Sequence, residues 1–317
     1  MSRKIIQNSK SVSQGFETLA LSGISPDLIT CRKAFEAFLF AKRQAGCREK
    51  TISTYVCHVT EFVEWCEGIQ LSIGNVRKVH VERWEGILRL NRGNRDTSVQ
   101  TKIKSIRTFL YWCMDEDRGW VGSFRIGLPK ADTVLKTPYT REELELLLAQ
   151  PKSDSLAEWR TWAAVSFFVR TGVRLSSALN LKWSDLDFEK RVCLLRHTKT
   201  NEQYFVPLPK ETIIDLVTWQ QVSPVTKEGF VFFSTRGDGP MRPNGLIQSV
   251  RKYNRARGVS KTSIHLLRHT YATIYLQKGG RAERLQKILG HKTSDMTQRY
   301  VHFVTDDLVE GIDDFTV

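Results

Sequence analysis

From Ser25-Pro26 onward, apolar residues recur at the three- and four-residue spacing of amphipathic helices. Ser25 can cap and Pro26 can open the first helix, and Ala34, Phe35, Phe38, Leu39 and Phe40 give it apolar bulk. A second helix is predicted from about Thr51 to Cys66, where Tyr55, Val59, Phe62, Val63 and Cys66 share a face. A third runs from Val79 to Leu90. A fourth, Thr97 to Met114, repeats the Thr start and aromatic end of the second, with Phe109, Tyr111, Trp112 and Cys113 beside Phe62, Trp65 and Cys66. Residues 25–117 therefore read as an all-helical bundle whose aromatics form core rather than base-stacking platforms.

Gly and Pro then punctuate residues 118–137 (RGWVGSFRIGLPKADTVLKT), a pattern expected of a linker. Thr140 with Glu143 forms a capping box for a new helix, Glu158–Thr171 is another, and Gly172 can end it. Val192–Arg196 and Tyr204–Val206 are predicted to pair as a β-hairpin with Lys199 at its turn, and EGFVFFST (228–235) is expected to add a third strand. Helices return from Arg242. The predicted fold class is mainly α: a helical N-terminal bundle and a mixed α/β domain with a small antiparallel sheet.

Charge narrows the function. The 317 residues carry a formal net charge of +14. Residues 1–133 hold 21 Lys and Arg against 14 Asp and Glu, and residues 134–317 hold 27 against 20, so each part is +7. Two basic lobes, rather than a basic tail on a neutral body, point to a polyanionic partner, with nucleic acid before an anionic membrane. Residues 242–261 contain six cations and no acid, whereas 301–317 contain five acids and no Lys or Arg. The six cysteines are scattered, with neither a CxxC pair nor zinc spacing. No apolar run approaches the ~20 residues that cross a bilayer. The expectation is a reduced, cytoplasmic protein without a membrane partner.

Four segments carry candidate chemistry. TGVRLSSALNLKW (171–183) sets Arg174 beside an apolar face, where a guanidinium is costly unless it meets an anion. Lys199 stands at the hairpin tip. HLLRHTYAT (265–273) places His265 and Arg268 one helical turn apart, so one can exchange a proton while the other holds an anion. LQKILGHKTSDMTQRYVH (285–302) ends a helix at Gly290, follows it with His291, and carries Tyr300 on a second short helix.

In this order the set resembles the tyrosine recombinase (phage integrase) family, in an Xer-like two-domain form without an arm-binding domain. The framework segments TGVRL, LKWSDLD, VPLP, LRHTYAT and ILGH carry the resemblance across residues 137–302. It implies a flexible segment 1–24, a helical core-binding, DNA-contacting domain 25–117, a linker 118–137 and a catalytic domain 138–302. It implies that the tail 303–317 packs on a neighbouring protomer. Tyr300 matches the nucleophile, Arg174 and Arg268 the pair that clamps the phosphate, and Lys199 the donor of a proton to the leaving 5′ oxygen. His265 matches the residue that helps move the tyrosine proton, and His291 a hydrogen-bond donor to the phosphate. Three residues after the first Arg the family usually has Glu or Asp. Here Ser177 takes that place, and altered pH behaviour is the expected consequence.

The implied reaction cleaves and rejoins DNA through a 3′-phosphotyrosyl bond in integration, excision or resolution. The implied partners are a double-stranded recombination site and further copies of the chain, two per site and four in the synapse, with accessory DNA-bending proteins as further candidates. Arg95, Lys102, Lys104, Arg107, Arg242, Arg251, Lys252 and Arg255 are candidate DNA contacts. Two readings stay open beside it. A type IB topoisomerase or telomere resolvase uses similar residues, although the length and the ILGH segment favour a recombinase. A DNA-binding module with a decayed site is the non-enzyme reading, and the set Arg, Lys, His, Arg, His, Tyr argues against it.

No cofactor is expected. The sequence has neither a GxxxxGKS phosphate loop nor the carboxylate cluster of a two-metal nuclease, and two Arg forks can stabilise the equatorial oxygens of a phosphoryl transfer by themselves. DNA cleavage by the purified protein is therefore expected to proceed at an unchanged rate in EDTA; abolition by the chelator would contradict this.

Overall fold

The computed structural model describes residues 23–115, 117–130, 137–196, 203–224, 229–235, 239–290 and 297. Two compact units divide the chain, Met1–Leu135 and Lys136–Val317.

The first unit is helical. Pro26–Leu28 forms only a 3-10 turn, and the first α-helix, α1 (Cys31–Gln44), starts after Thr30, whose hydroxyl accepts from the Lys33 amide. Then follow α2 (Glu49–Gly68), α3 (Lys78–Gly86, continued by a π-helical turn Ile87–Asn91) and α4 (Asp96–Met114). Of the aromatics expected to be core, Phe35, Phe38, Phe62 and Phe109 are buried, whereas Tyr111 is 41% exposed. Phe38 meets Tyr55, Phe109 and Trp112 edge-on at 5.0, 5.5 and 5.6 Å between ring centres, geometry that adds to their burial. Trp84 and Phe62 are fully enclosed. The segment expected to be a linker departs from expectation over its first part. Trp120, Val121 and Ile126 are buried in the core of this unit, and Arg118 lies 4.1 Å from the Trp112 ring centre. Three apolar side chains among four glycines and prolines are enough to fasten the backbone.

The second unit is built around α6 (Leu156–Thr171), which follows α5 (Arg141–Leu148). The Thr140–Glu143 capping box is formed in both directions. α6 is buried on nearly every side. Its two arginines are satisfied differently: Arg160 donates to the Phe233 carbonyl, while Arg170 pairs with Asp215, which also accepts from Ser166. A short helix α7 (Leu175–Ala178) leads into an antiparallel sheet of β1 (Leu186–Asp187), β2 (Val192–Leu195) and β3 (Tyr204–Pro207), in that order. Leu186 faces Cys193, and Leu195 faces Tyr204. After α8 (Lys210–Val222) come α9 (Pro243–Ala256), α10 (Ile264–Gln277) and α11 (Ala282–Leu289).

The third strand is β1, not the apolar run expected at 228–235. The described part of that run makes only isolated bridges, Phe230 with Lys182 and Phe233 with Pro240. Val231, Phe232 and Phe233 are buried one after another, whereas a strand covered on one face alternates. They pack as consecutive knobs against α6 and α8, with Phe233 stacked on Trp219 at 5.8 Å.

Gly172 closes α6 in the left-handed region, at φ +64°. A Cβ there would lie 2.5 Å from Tyr271 Cδ1 and 2.8 Å from Leu289 Cδ2. Gly172→Ala combines left-handed strain with overpacking, together about 2 kcal/mol or more. A thermal unfolding midpoint lowered by several degrees is expected, and an unchanged midpoint would contradict the packing described.

Candidate active site

Helix ends build the site. α6 stops at Gly172, and the turn delivers Arg174 to the N-cap of α7 in extended backbone. α11 stops at Gly290, also left-handed at φ +59°, which leaves its last carbonyls without helical partners. Arg174 Nη1 donates to two of them, Leu289 O at 3.0 Å and Gly290 O at 2.9 Å. Arg268 comes from the second turn of α10 and is only 7% exposed. Its Nη1 donates to Gly172 O at 2.6 Å and its Nη2 to Leu289 O at 2.9 Å.

The Leu289 carbonyl thus accepts from both guanidinium groups, and the two donating nitrogens lie within about 6 Å of each other. Two unit charges ~5 Å apart repel by about 3 kcal/mol at an effective dielectric near 20. The negative end of α11 offsets part of this repulsion, and a bound anion would reverse it. Both of these main-chain bonds leave from Nη1 of Arg174. Its Nε–Nη2 edge retains the planar fork that fits a phosphate in bidentate fashion.

His265 is exposed on the first turn of α10, one turn before Arg268. Ser177, where the family usually has an acid, is 3% exposed, and its Oγ has no hydrogen-bond partner among the described residues. No carboxylate charge from that position opposes the clamp. Lys199, His291 and Tyr300 lie outside the described residues, as do the tail 303–317 and residues 1–22.

Sequence reasoning missed Tyr204. This first residue of β3 covers Gly290, where a Cβ would lie 2.7 Å from its Cζ. Burial pushes its hydroxyl above the ordinary phenol range, and the charges of Arg174 and Arg268 pull it back part of the way. The signal was present in strand alternation: Tyr204 and Val206 point inward, while Phe205 between them is 64% exposed.

The candidate DNA contacts differ in availability. Arg242, Arg251, Lys252 and Arg255 are exposed on or beside α9 and make no ion pair with a described residue. Arg95 and Lys104 are exposed on α4, and Arg107 is half-buried there. Lys102 is held by Glu61 at 2.7 Å, a carboxylate that Arg92 also engages at 2.8 Å. No described helix is long and apolar enough to cross a membrane.

Comparison with known proteins gives the family. A sequence model of the phage integrase family matches residues 139–306. The chain belongs to the phage integrase family and is a site-specific recombinase of the tyrosine type. The tyrosine recombinase XerC of Staphylococcus epidermidis is 27% identical over 279 residues, which cover 85% of this chain and 92% of the relative. The XerC of Staphylococcus aureus MRSA252 is 27% identical over 274 residues, covering 84% and 91%. Among solved structures, a lambda integrase dimer bound to a COC′ core site has a TM-score of 0.68 at 17% identity, covering 86% of this chain and 95% of that one. The XerH recombinase in a post-cleavage complex with palindromic difH substrate has a TM-score of 0.66 at 18% identity, covering 95% and 94%. At such identities the two structures show a shared fold.

The clamp makes a sharp demand on chemistry at position 268. Lysine keeps the charge there but cannot hold Gly172 O and Leu289 O while offering a planar fork. Arg268→Lys is expected to slow DNA cleavage about 100-fold, the scale of losing one preorganised donor to a developing oxyanion. Binding of the intact site should change less than threefold in a gel-shift assay. Cleavage within fivefold of the parent would remove Arg268 from the clamp.

Proposed function

We propose that this recombinase cuts DNA by attack of the Tyr300 phenol oxygen on a phosphate held by Arg174 and Arg268. The bond from phosphorus to Tyr300 forms as the bond from phosphorus to the 5′ oxygen breaks, leaving a 3′-phosphotyrosyl enzyme and a 5′ hydroxyl. The diester is exchanged for another diester, so rejoining by an incoming 5′ hydroxyl needs no ATP. The observation that carries this reading is the convergence of two guanidinium groups, from α7 and α10, on the single carbonyl oxygen of Leu289.

The remaining roles follow from chemistry. A phenol with its usual pKa near 10 must lose its proton during attack at neutral pH. His265, exposed one turn from Arg268, takes part in that transfer. Lys199 protonates the leaving 5′ oxygen, and His291 donates a hydrogen bond to the phosphate. The two arginines neutralise the equatorial oxygens, the main requirement of phosphoryl transfer, and no metal or cofactor is required.

The DNA grip is assigned to Arg242, Arg251, Lys252 and Arg255 in the catalytic unit, and to Arg95, Lys104 and Arg107 in the helical unit, with most contacts to phosphate. Lys102 contributes less, because Glu61 already engages it. The substrate is a double-stranded recombination site bound by two copies of the chain, four in the synapse. The tail 303–317 docks on a neighbouring protomer through Leu308, Ile312 and Phe315. The protein works in the cytoplasm, where its DNA substrate is found. That the lambda integrase structure is a dimer on a core site supports the DNA-bound assembly.

Incubation with a nicked suicide site, from which the short 5′-hydroxyl strand diffuses away, is expected to trap a covalent protein–DNA adduct. Tyr300→Phe should abolish the adduct while leaving site binding within twofold. An adduct of undiminished yield in that variant would refute the assignment.

A further inference from the structure

We infer that Tyr204 is a positioning residue of the recombination site, whose hydroxyl sets Arg174 in its phosphate-binding pose. The inference deepens the reading above and rests on it. The Tyr204 hydroxyl is buried and faces the Arg174 guanidinium as its candidate partner, yet it makes no well-formed hydrogen bond with a described residue. A buried hydroxyl without a well-formed partner is costly, and phenylalanine would fill the same space without that cost. Such a group needs a reason.

Its surroundings give one. Tyr204 begins β3, the strand that follows the segment containing Lys199, and its ring lies flush on Gly290, the residue whose carbonyl anchors Arg174. The hydroxyl lies within electrostatic reach of both Arg174 and Arg268. Arginine only donates hydrogen bonds, and a neutral phenol oxygen can accept one. Arg174 spends Nη1 on the carbonyls at the end of α11. When its Nε–Nη2 edge turns to a phosphate, the phenol oxygen is the neutral acceptor that can hold the guanidinium plane from behind. It does so without adding a negative charge that would compete with DNA. This also suits a site in which Ser177 stands where relatives usually carry an acid: orientation of the first arginine passes to a neutral group.

Tyr204→Phe keeps the ring against Gly290 and removes only the hydroxyl. The single-turnover rate of adduct formation on the nicked site is expected to fall about tenfold. Binding of the intact site should stay within twofold, and the thermal midpoint should be unchanged or higher. Because Tyr204 acts through Arg174, its loss should not multiply with that of the arginine. In an Arg174→Lys background, with adduct followed over hours, Tyr204→Phe should change the rate less than twofold. A parent-like rate for the single variant overturns the inference, as does a full tenfold loss that persists beside Arg174→Lys or a lowered thermal midpoint. These results are distinct from failure of the underlying reading, in which the parent protein itself would form no adduct that depends on Tyr300.

Discussion

Two positive charges, brought from distant parts of the chain, are held against each other by the carbonyl end of one short helix. Leu289 O accepts from Arg174 and Arg268 together, Gly290 O takes Arg174 again, and Gly172 O takes Arg268 again. Arg268, only 7% exposed, could not stay so enclosed without these bonds, since an unpaired buried charge is expensive. Main-chain carbonyls satisfy the guanidinium groups without neutralising them, and a carboxylate would have done both. The pair therefore remains oriented and mutually repelled, a state that a bound anion would relieve.

The rest of the catalytic unit is arranged around that requirement. α6 and α11 must stop at defined residues for their carbonyls to face the arginines, and both stop at a glycine in left-handed backbone. The same two glycines admit a close neighbour: Tyr271 and Leu289 press on Gly172, and Tyr204 presses on Gly290. A side chain at either position would push apart surfaces that set the clamp. Strand β3 is tied to the arginine pair by the same contact, so the sheet and the two guanidinium groups share one piece of packing.

Charge elsewhere is sorted by partner. Arg170 is paired with Asp215, Lys261 with Glu143 and Arg257 with Glu158, all of them in the packed body of the catalytic unit. The cations on the outer side of α9 have no acid within bonding distance among the described residues. Exposed cations without an acidic partner are the ones that release counterions when a polyanion binds.

Much of this was written in local sequence. The helices of both units follow from apolar spacing, the Thr140–Glu143 cap from its two residues, and the ends of α6 and α11 from Gly172 and Gly290, because each depends on neighbours a few positions away. The family followed from the order of short motifs around Arg174, Arg268 and ILGH. Contacts between distant segments were not legible. The run 229–235 carries strand composition, yet it packs as consecutive buried side chains because α6 and α8 offer a surface to both of its faces. Trp120, Val121 and Ile126 sit in a Gly- and Pro-rich stretch, yet they complete a core whose gap only the folded helices define. Tyr204 could be placed on an inward strand face, but not beside two arginines. Sequence by itself determined which side chains exist and on which local element each lies, since that is a matter of backbone propensity and period. The tertiary structure alone decided that one carbonyl oxygen serves two guanidinium groups, because the distances that make a site are set by packing between elements far apart along the chain.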